Sequence, residues 1–292
     1  MLKREKDELE RAKQTANVLA EALPWINSWE GKTVVVKYGG SAMEDPELRR
    51  QVVADVVLMR RVGMRIVLVH GGGKAISALM KALDLPVEFV DGLRVTTPEA
   101  MDAVQMALVG KVNQMLVSAV DQYGDLGVGI SGADGRTFVT SALDDVHGRV
   151  GKVERVNTHL VESMLDDGYI PVVAGVGWGE DGSYNINADV AASELAIALH
   201  ADKLIYLSDV DGLYRDFDDE SSLVSSMEAT EVHELVDSGT LERGMIPKVT
   251  AAAEALDAGV THVHFLNGTF PHSLLLEVFT DAGIGTMFYK ED

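Results

Sequence analysis

No cysteine occurs among the 292 residues. That absence excludes a disulfide framework, a thiolate zinc site and a cysteine nucleophile. No uninterrupted apolar run approaches the roughly 20 residues needed to cross a bilayer. The opening MLKREKDELE is too charged to act as a secretion signal. No membrane partner is expected, and a cytoplasmic location is. Cations are also scarce, with 25 Lys and Arg against 46 Asp and Glu and a formal charge of -21. Such a chain lacks the basic face that nucleic-acid phosphates demand. If it handles anionic ligands, its few cations must be concentrated at the site against the overall field. Where each lysine and arginine sits is therefore informative.

Hydrophobic residues make up 47% of the chain and recur along its length. They indicate a globular protein with one large core or two moderate lobes. Residues 5 to about 23 read as an amphipathic helix, with Leu9, Ala12, Ala16, Leu19 and Leu23 at helical spacing and Pro24 expected to end it. Its spacing fits packing on its own domain as well as an oligomer contact. Beyond it, TVVVKY (33–38), RIVLVH (65–70), YIPVVAG (169–175), KLIYLS (203–208) and THVHFL (261–266) read as buried strands. Helices are expected over about 46–63, from 73, and over about 188–200, 230–238 and 246–258. Strands spaced by helices predict an α/β fold with a mainly parallel central sheet. A Gly-rich turn at 178–184 (WGEDGSY) marks a weak lobe boundary.

Lys37 interrupts VVVKYGG at the carboxyl end of an apolar strand, directly before Gly39 and Gly40. Ligands bind beyond the carboxyl ends of strands in open α/β sheets, and a glycine pair lets backbone N–H groups approach an anion. Taken alone, Lys37 reads as a strand-end lysine reaching solvent. RIVLVH-GGGKAI repeats the strand-to-glycine pattern, and Gly71, Gly72 and Gly73 open a helix whose N-terminus is suited to an anion. It is not a Walker loop. In NINADVAASE, Asn185 or Asn187 caps a helix with Asp189 in its first turn, which ordinary capping explains. Lys248, in GMIPK, follows a proline at a helix start. A lysine at that positive pole is unfavourable by roughly 0.3–1 kcal/mol, and a bound phosphate would reverse the sign. Arg94, in VDGLRVT, could clamp a carboxylate with its two-pronged guanidinium, although an isolated arginine ordinarily sits at the surface. LSDVDGLY (207–214) follows a strand as a nucleotide-contacting loop would. GVGISG (127–132) matches the dinucleotide glycine pattern but lacks a following helix. His262, His264 and His272 lack the partners of a zinc site.

In order, VVVKYGGSAM, VLVHGGGKAI, VDGLRVT, YNINADVAA, LSDVDGLY and GMIPKV resemble the motifs of the amino-acid kinase family, most closely its branch acting on N-acetyl-L-glutamate. The resemblance implies a three-layer α/β/α sandwich. It further implies an N-terminal helix for oligomerisation (1–25), a lobe for the acyl amino acid (26–180) and a lobe for ATP with Mg2+ (181–292). It implies phosphorylation of the side-chain carboxylate, the second step of arginine synthesis. Lys37 and Lys248 would neutralise the moving phosphoryl group, Gly40 and Gly72 would donate N–H bonds to it, and Asp189 would hold the lysines. Gly71, Gly72, Arg94 and Asn185 would bind the acyl substrate. Gly39, Gly40, Ser208, Asp209, Gly212, Leu213, Tyr214, Thr240, Leu241, Glu242 and Met245 would border the nucleotide, with no protein-held metal implied. The nucleophile is already ionised, so positioning and charge neutralisation suffice without a general base.

The N-terminal helix and LLLEVFTDAGIGT resemble the arginine-inhibited members. That likeness implies a homo-hexamer built as a trimer of dimers, with His264, Glu277 and Gly283 at an L-arginine site. Some members answer to the PII nitrogen-signalling protein, but no residue here points to that contact. Lys74, where relatives often carry proline, and Ala133, where many carry lysine, depart from the pattern. Remaining alternatives are a kinase for an N-acetylaminoadipate-type substrate and a non-catalytic arginine sensor.

Overall fold

The structure is a computed structural model and describes residues 3–216, 219–238, 245–280 and 283–290. The chain opens with α1 (Lys3–Trp29), β1 (Thr33–Tyr38), α2 (Ser41–Glu44), α3 (Pro46–Arg61), β2 (Arg65–His70) and α4 (Gly73–Ala82). A small hairpin, β3 (Phe89–Val90) and β4 (Leu93–Arg94), leads into a continuous helical run. That run comprises α5 (Pro98–Gln105), a π-helical stretch (Met106–Asn113) and α6 (Gln114–Asp121). There follow β5 (Gly127–Ser131), β6 (Phe138–Ala142), β7 (Gly151–Val156), α7 (His159–Asp166), β8 (Ile170–Ala174), β9 (Val176–Gly179) and β10 (Gly182–Asn185). The last part holds α8 (Ala188–Ala198), β11 (Lys203–Ser208), β12 (Ser226–Glu228), α9 (Ala229–Ser238), α10 (Ile246–Asp257), β13 (His262–Asn267), α11 (Ser273–Phe279) and β14 (Thr286–Tyr289).

The central sheet runs β12-β14-β13-β11-β1-β2-β8-β5. Its strands from β13 to β5 are parallel, and β14 joins β13 antiparallel. Alternation along β1 decides what each face receives. Val34, Val36 and Tyr38 pack into a core with α3, α6 and α11. Val35 faces α8 and α10 across a second core. This is the expected three-layer α/β/α arrangement. β6, β7, β9 and β10 form a second, smaller sheet that the sequence reading did not anticipate.

Two local expectations change, and the segment of the expected lobe boundary takes a defined form. Pro24 does not end α1, which continues to Trp29. A proline removes one helical hydrogen bond, and here Trp29 packs against the main core while Trp25 and Ile26 meet α11, anchoring the last turns. Segment 178–184 is the β9–β10 hairpin, so the expected division at residue 180 falls in its turn. Finally, Pro98–Asp121 is 24 residues long and, by length and composition, apolar enough to span a bilayer. It lies instead as a core helix, with Leu108, Val112, Leu116 and Val120 buried.

Candidate active site

Period-2 alternation sends the Lys37 side chain to the same face as Val35, the face that α8 covers. Asn187 caps α8 by accepting from the Asp189 N–H at 2.8 Å, which fixes Asp189 in the first turn. The Lys37 ammonium then lies 2.9 Å from Asp189 Oδ1, with the side chains 12% and 16% exposed. The contact is an ion pair without directed hydrogen-bond geometry at Oδ1, which leaves that oxygen available to a second cation. Ser193 on α8 donates to the Ala251 carbonyl at 3.2 Å and ties down α10, whose first turn carries Lys248. Burial pushes the Lys248 ammonium below its ordinary range. Asp189 opposes that shift, Lys37 adds to it, and Asp209 opposes it. Lys248 thus feels the charges of all three groups, although the sequence keeps it 59 residues beyond Asp189.

A cavity of about 230 Å3 opens at the carboxyl ends of β1 and β2. Lys37, Gly71, Gly72, Arg94, Asn185 and Asp189 all line it. Gly71 contributes wall and not donor, because its N–H is taken by the Tyr38 carbonyl at 3.1 Å. Gly72 is closely packed. A Cβ there would come within 2.7 Å of Leu108, which the π-helical stretch presses against it. Gly40 adopts φ +75°, and a Cβ would also run into the Asp209 carboxylate. That carboxylate accepts from the N–H and the hydroxyl of Ser41, each at 2.9 Å, and so joins the first glycine turn to the loop after β11.

Arg94 is not at the surface. It is 6% exposed, donates to the Gly73 carbonyl at 3.0 Å and to Ser77 Oγ at 2.8 Å, and lies 4.7 Å from the centroid of Phe89. Burial lowers its pKa from the usual value. Among the described residues no carboxylate pairs with it. A buried guanidinium without a counter-ion is costly unless a ligand supplies one. Asn185 ends β10 and donates to Thr96 Oγ1 at 3.3 Å, leaving the capping role to Asn187.

His70 is a wall residue that sequence reasoning passed over, though it stands directly before the three glycines. It is fully buried, and burial holds its pKa at about 4, so it is neutral at physiological pH. Asn113 donates its amide to the Val172 carbonyl at 2.8 Å and to the Ile130 carbonyl at 3.3 Å, which orients that group. The same nitrogen meets His70 Nε2 at 3.1 Å, making Nε2 an acceptor. Nδ1 then donates to the Gly71 carbonyl at 2.9 Å and braces the second glycine loop.

Among the residues expected to border the nucleotide, those in the loop after β11 are held from several directions. Asn267 donates to Asp211 at 2.8 Å, Tyr214 donates to Asp211 at 2.9 Å, and the Leu213 N–H donates to Thr286 at 2.8 Å. Gly212 and Ser208 are buried within it, Gly39 lies against the Lys37 ammonium, and Met245 caps α10. Thr240, Leu241 and Glu242 lie outside the described residues. No cluster of three metal-ligating side chains occurs among the described residues.

Residues 32–267 match the amino acid kinase family. The chain belongs to that family. An acetylglutamate kinase of Caldanaerobacter subterraneus subsp. tengcongensis is 48% identical over 281 residues, covering 94% of this chain and 93% of that protein. The N-acetylglutamate synthase of Neisseria gonorrhoeae, solved with coenzyme A and N-acetyl-glutamate, superposes with a TM-score of 0.83 at 27% identity. The match covers 95% of this chain, which spans 64% of the Neisseria one. Carbamate kinase from Giardia lamblia bound to AMP-PNP, at 19% identity and a TM-score of 0.66, shares the fold.

In this family member the trio that the sequence resemblance placed at an arginine site, His264, Glu277 and Gly283, forms a cluster of its own. His264 Nδ1 lies 2.7 Å from Glu277 Oε1, and the Ile284 N–H donates to Glu277 Oε2 at 3.2 Å. Gly283 flanks the same carboxylate. Burial holds His264 at about 4 and neutral. Burial also raises the Glu277 carboxyl, but His264 and Lys203 outweigh it and the net shift is downward. Lys203, 5% exposed and 4.8 Å from the Trp29 ring, was not singled out from sequence. Burial pushes its ammonium down to about 8. Lys203 opens β11 and Ser208 closes it, so Lys203 lies about 16 Å from the loop after β11 at roughly 3.3 Å per residue.

Proposed function

We propose that this protein transfers the γ-phosphoryl group of ATP, carried with Mg2+, to the side-chain carboxylate of N-acetyl-L-glutamate. The observation that carries this reading is the cavity itself. It joins a buried, anion-free Arg94 to the Lys37–Asp189 pair across a glycine-walled gap. A ligand bearing two carboxylates satisfies both ends. Arg94 takes one as counter-ion, and the other points at the phosphate. One carboxylate oxygen attacks the γ-phosphorus, the bond to the ADP oxygen breaks, and no proton moves. Lys37 and Lys248 offset the charge that spreads over the transferring oxygens, while Gly40 and Gly72 offer backbone donors. Asp189 keeps the two ammoniums together when no phosphate is present. The full-length similarity to proteins named acetylglutamate kinase supports the same substrate.

The test is a panel of N-acetylglutamate, N-acetylaminoadipate, glutamate, aspartate and carbamate with Mg-ATP, trapping acyl phosphate with hydroxylamine. N-acetylglutamate is expected to give the highest kcat/KM. No hydroxamate from it, or faster turnover of the longer homologue, sinks the assignment.

The same reading extends to regulation by L-arginine. The buried Glu277 carboxylate and Lys203 ammonium feel each other's charge and offer one partner of each sign to a guanidinium and a carboxylate. A hexamer joined through α1 is supported by its apolar stripe, since Val18 is 63%, Leu19 66% and Leu23 54% exposed. Titrating turnover with arginine tests the first, and light scattering tests the second.

A further inference from the structure

A second depression adjoins the acyl cavity. It is a groove of about 540 Å3 lined by Gly73, Lys74, Ser77, Ala78, Lys81, Phe89 and Arg94. Gly73, Phe89 and Arg94 also line the cavity, so the two spaces are neighbours that share a wall at Arg94. The groove follows from the sequence of α4. Ile76 and Met80, four apart, are buried in the core. Lys74, Ala78 and Lys81 recur at i, i+4 and i+7 and stay exposed on the opposite face. Small residues between the lysines leave a trough, and half-exposed Phe89 forms the lip beside Arg94.

The charge of this trough contradicts that of the molecule. Three cations line it and no carboxylate does, in a chain of net charge -21. Glu44 reaches Lys74 from α2 at 3.0 Å and offsets part of that charge, while both side chains remain largely in solvent. Lys81 has no ion-pair partner among the described residues. A surface lysine pair contributes little to folding, and nothing in the core depends on these two. Their position matters for an anion that must approach through a repulsive field. Clefts lined by one sign of charge raise the local concentration of the opposite ion.

We infer that this groove is the entrance for the dianionic acyl amino acid, with Lys81 and Lys74 as the residues that draw it in and hand it to Arg94. The inference rests on the acyl-kinase reading above and adds the residues that set affinity for the acyl substrate. None of the residues expected to border the nucleotide lines the groove, so its role is assigned to the carboxylate substrate.

The experiment compares wild type with Lys81→Glu, Lys74→Glu and, as a control with the same change in net charge, Lys290→Glu on the exposed residue after β14. Steady-state kinetics are run at low and at high salt, with melting temperatures to confirm folding. For Lys81→Glu, KM for N-acetylglutamate is expected to rise about 3- to 10-fold at low salt, with kcat and KM for ATP unchanged. At about 1 M salt, where screening acts within roughly 3 Å, the difference is expected to vanish. Lys74→Glu should act in the same direction, and Lys290→Glu should not. An unmoved KM in Lys81→Glu overturns the inference. So does an equal rise in Lys290→Glu, a rise in KM for ATP, or an effect that survives high salt. A wild type inactive on N-acetylglutamate would remove the parent reading and the groove's role together. An active wild type with an indifferent Lys81→Glu removes the groove alone.

Discussion

Replacing Asp189 with asparagine keeps the shape of the side chain and deletes the charge between two lysines. At 2.9 Å, the Lys37–Asp189 attraction is about 6 kcal/mol at an effective dielectric constant of 20. Desolvation of the two ions offsets much of that. Removing one partner of a largely buried pair still costs about 3–5 kcal/mol, because the other charge is left uncompensated. The pair is 12% and 16% exposed, so the small values typical of surface pairs do not apply. Two ammoniums would then face each other without an anion whenever phosphate is absent. Turnover is expected to fall by about 10²–10³-fold, the range for losing one preorganised electrostatic contact. The pH profile carries a second signature. Lys248 is already shifted downward, chiefly by burial, and Asp189 is the first influence opposing that shift. Without Asp189 the lysine releases its proton at lower pH, so the alkaline limb of the profile should move toward neutrality. ADP release coupled to a spectrophotometric reporter, followed from neutral to alkaline pH, measures both effects. Turnover within about 3-fold of wild type, with an unshifted alkaline limb, would refute the proposed role of Asp189.

Three further perturbations probe other parts of the site. Gly40→Ala meets both the positive φ and the Asp209 carboxylate, so a loss of about 1–3 kcal/mol in stability and a sharp fall in turnover are expected, by thermal melting and kinetics. Arg94→Lys should raise KM for the acyl substrate by about 10²-fold, within the 2–5 kcal/mol range for truncating a buried charge partner. KM for ATP should stay put, and parallel changes in both constants would contradict that. Deleting residues 1–25 removes the apolar stripe of α1, and dimers are expected by light scattering.

The regular part of the fold was legible because its signals are local. β1, β2, β8, β11 and β13 are apolar runs ended by glycine or polar turns, and the structure keeps them nearly as read. The motifs at Lys37, Gly71–Gly73, Asp189 and Lys248 were visible as residue types in unusual places. What they do to one another was not. Lys37 looked like an ordinary strand-end lysine and Arg94 like a surface arginine, because burial and partners depend on helices distant in sequence. The four-stranded second sheet was missed because its strands are short and its two hairpins, β6–β7 and β9–β10, join only through the distant pairing of Val139 with Trp178. Pro24 misled because a missing hydrogen bond is local, whereas the packing of Trp29 that offsets it is not.

The sequence by itself determined the alternating α/β order, the glycine turns at strand ends and a charge balance that makes each cation informative. Only the tertiary structure decided that Lys37 pairs with Asp189, that Lys248 shares their field, and that Arg94 is buried without an anion. It alone also put Lys203 beside Glu277 and a basic trough beside the cavity. The physical reason is range. Backbone propensity and hydrophobic period act within a few residues, while Coulomb interaction and desolvation act on whatever the folded chain brings within several ångströms.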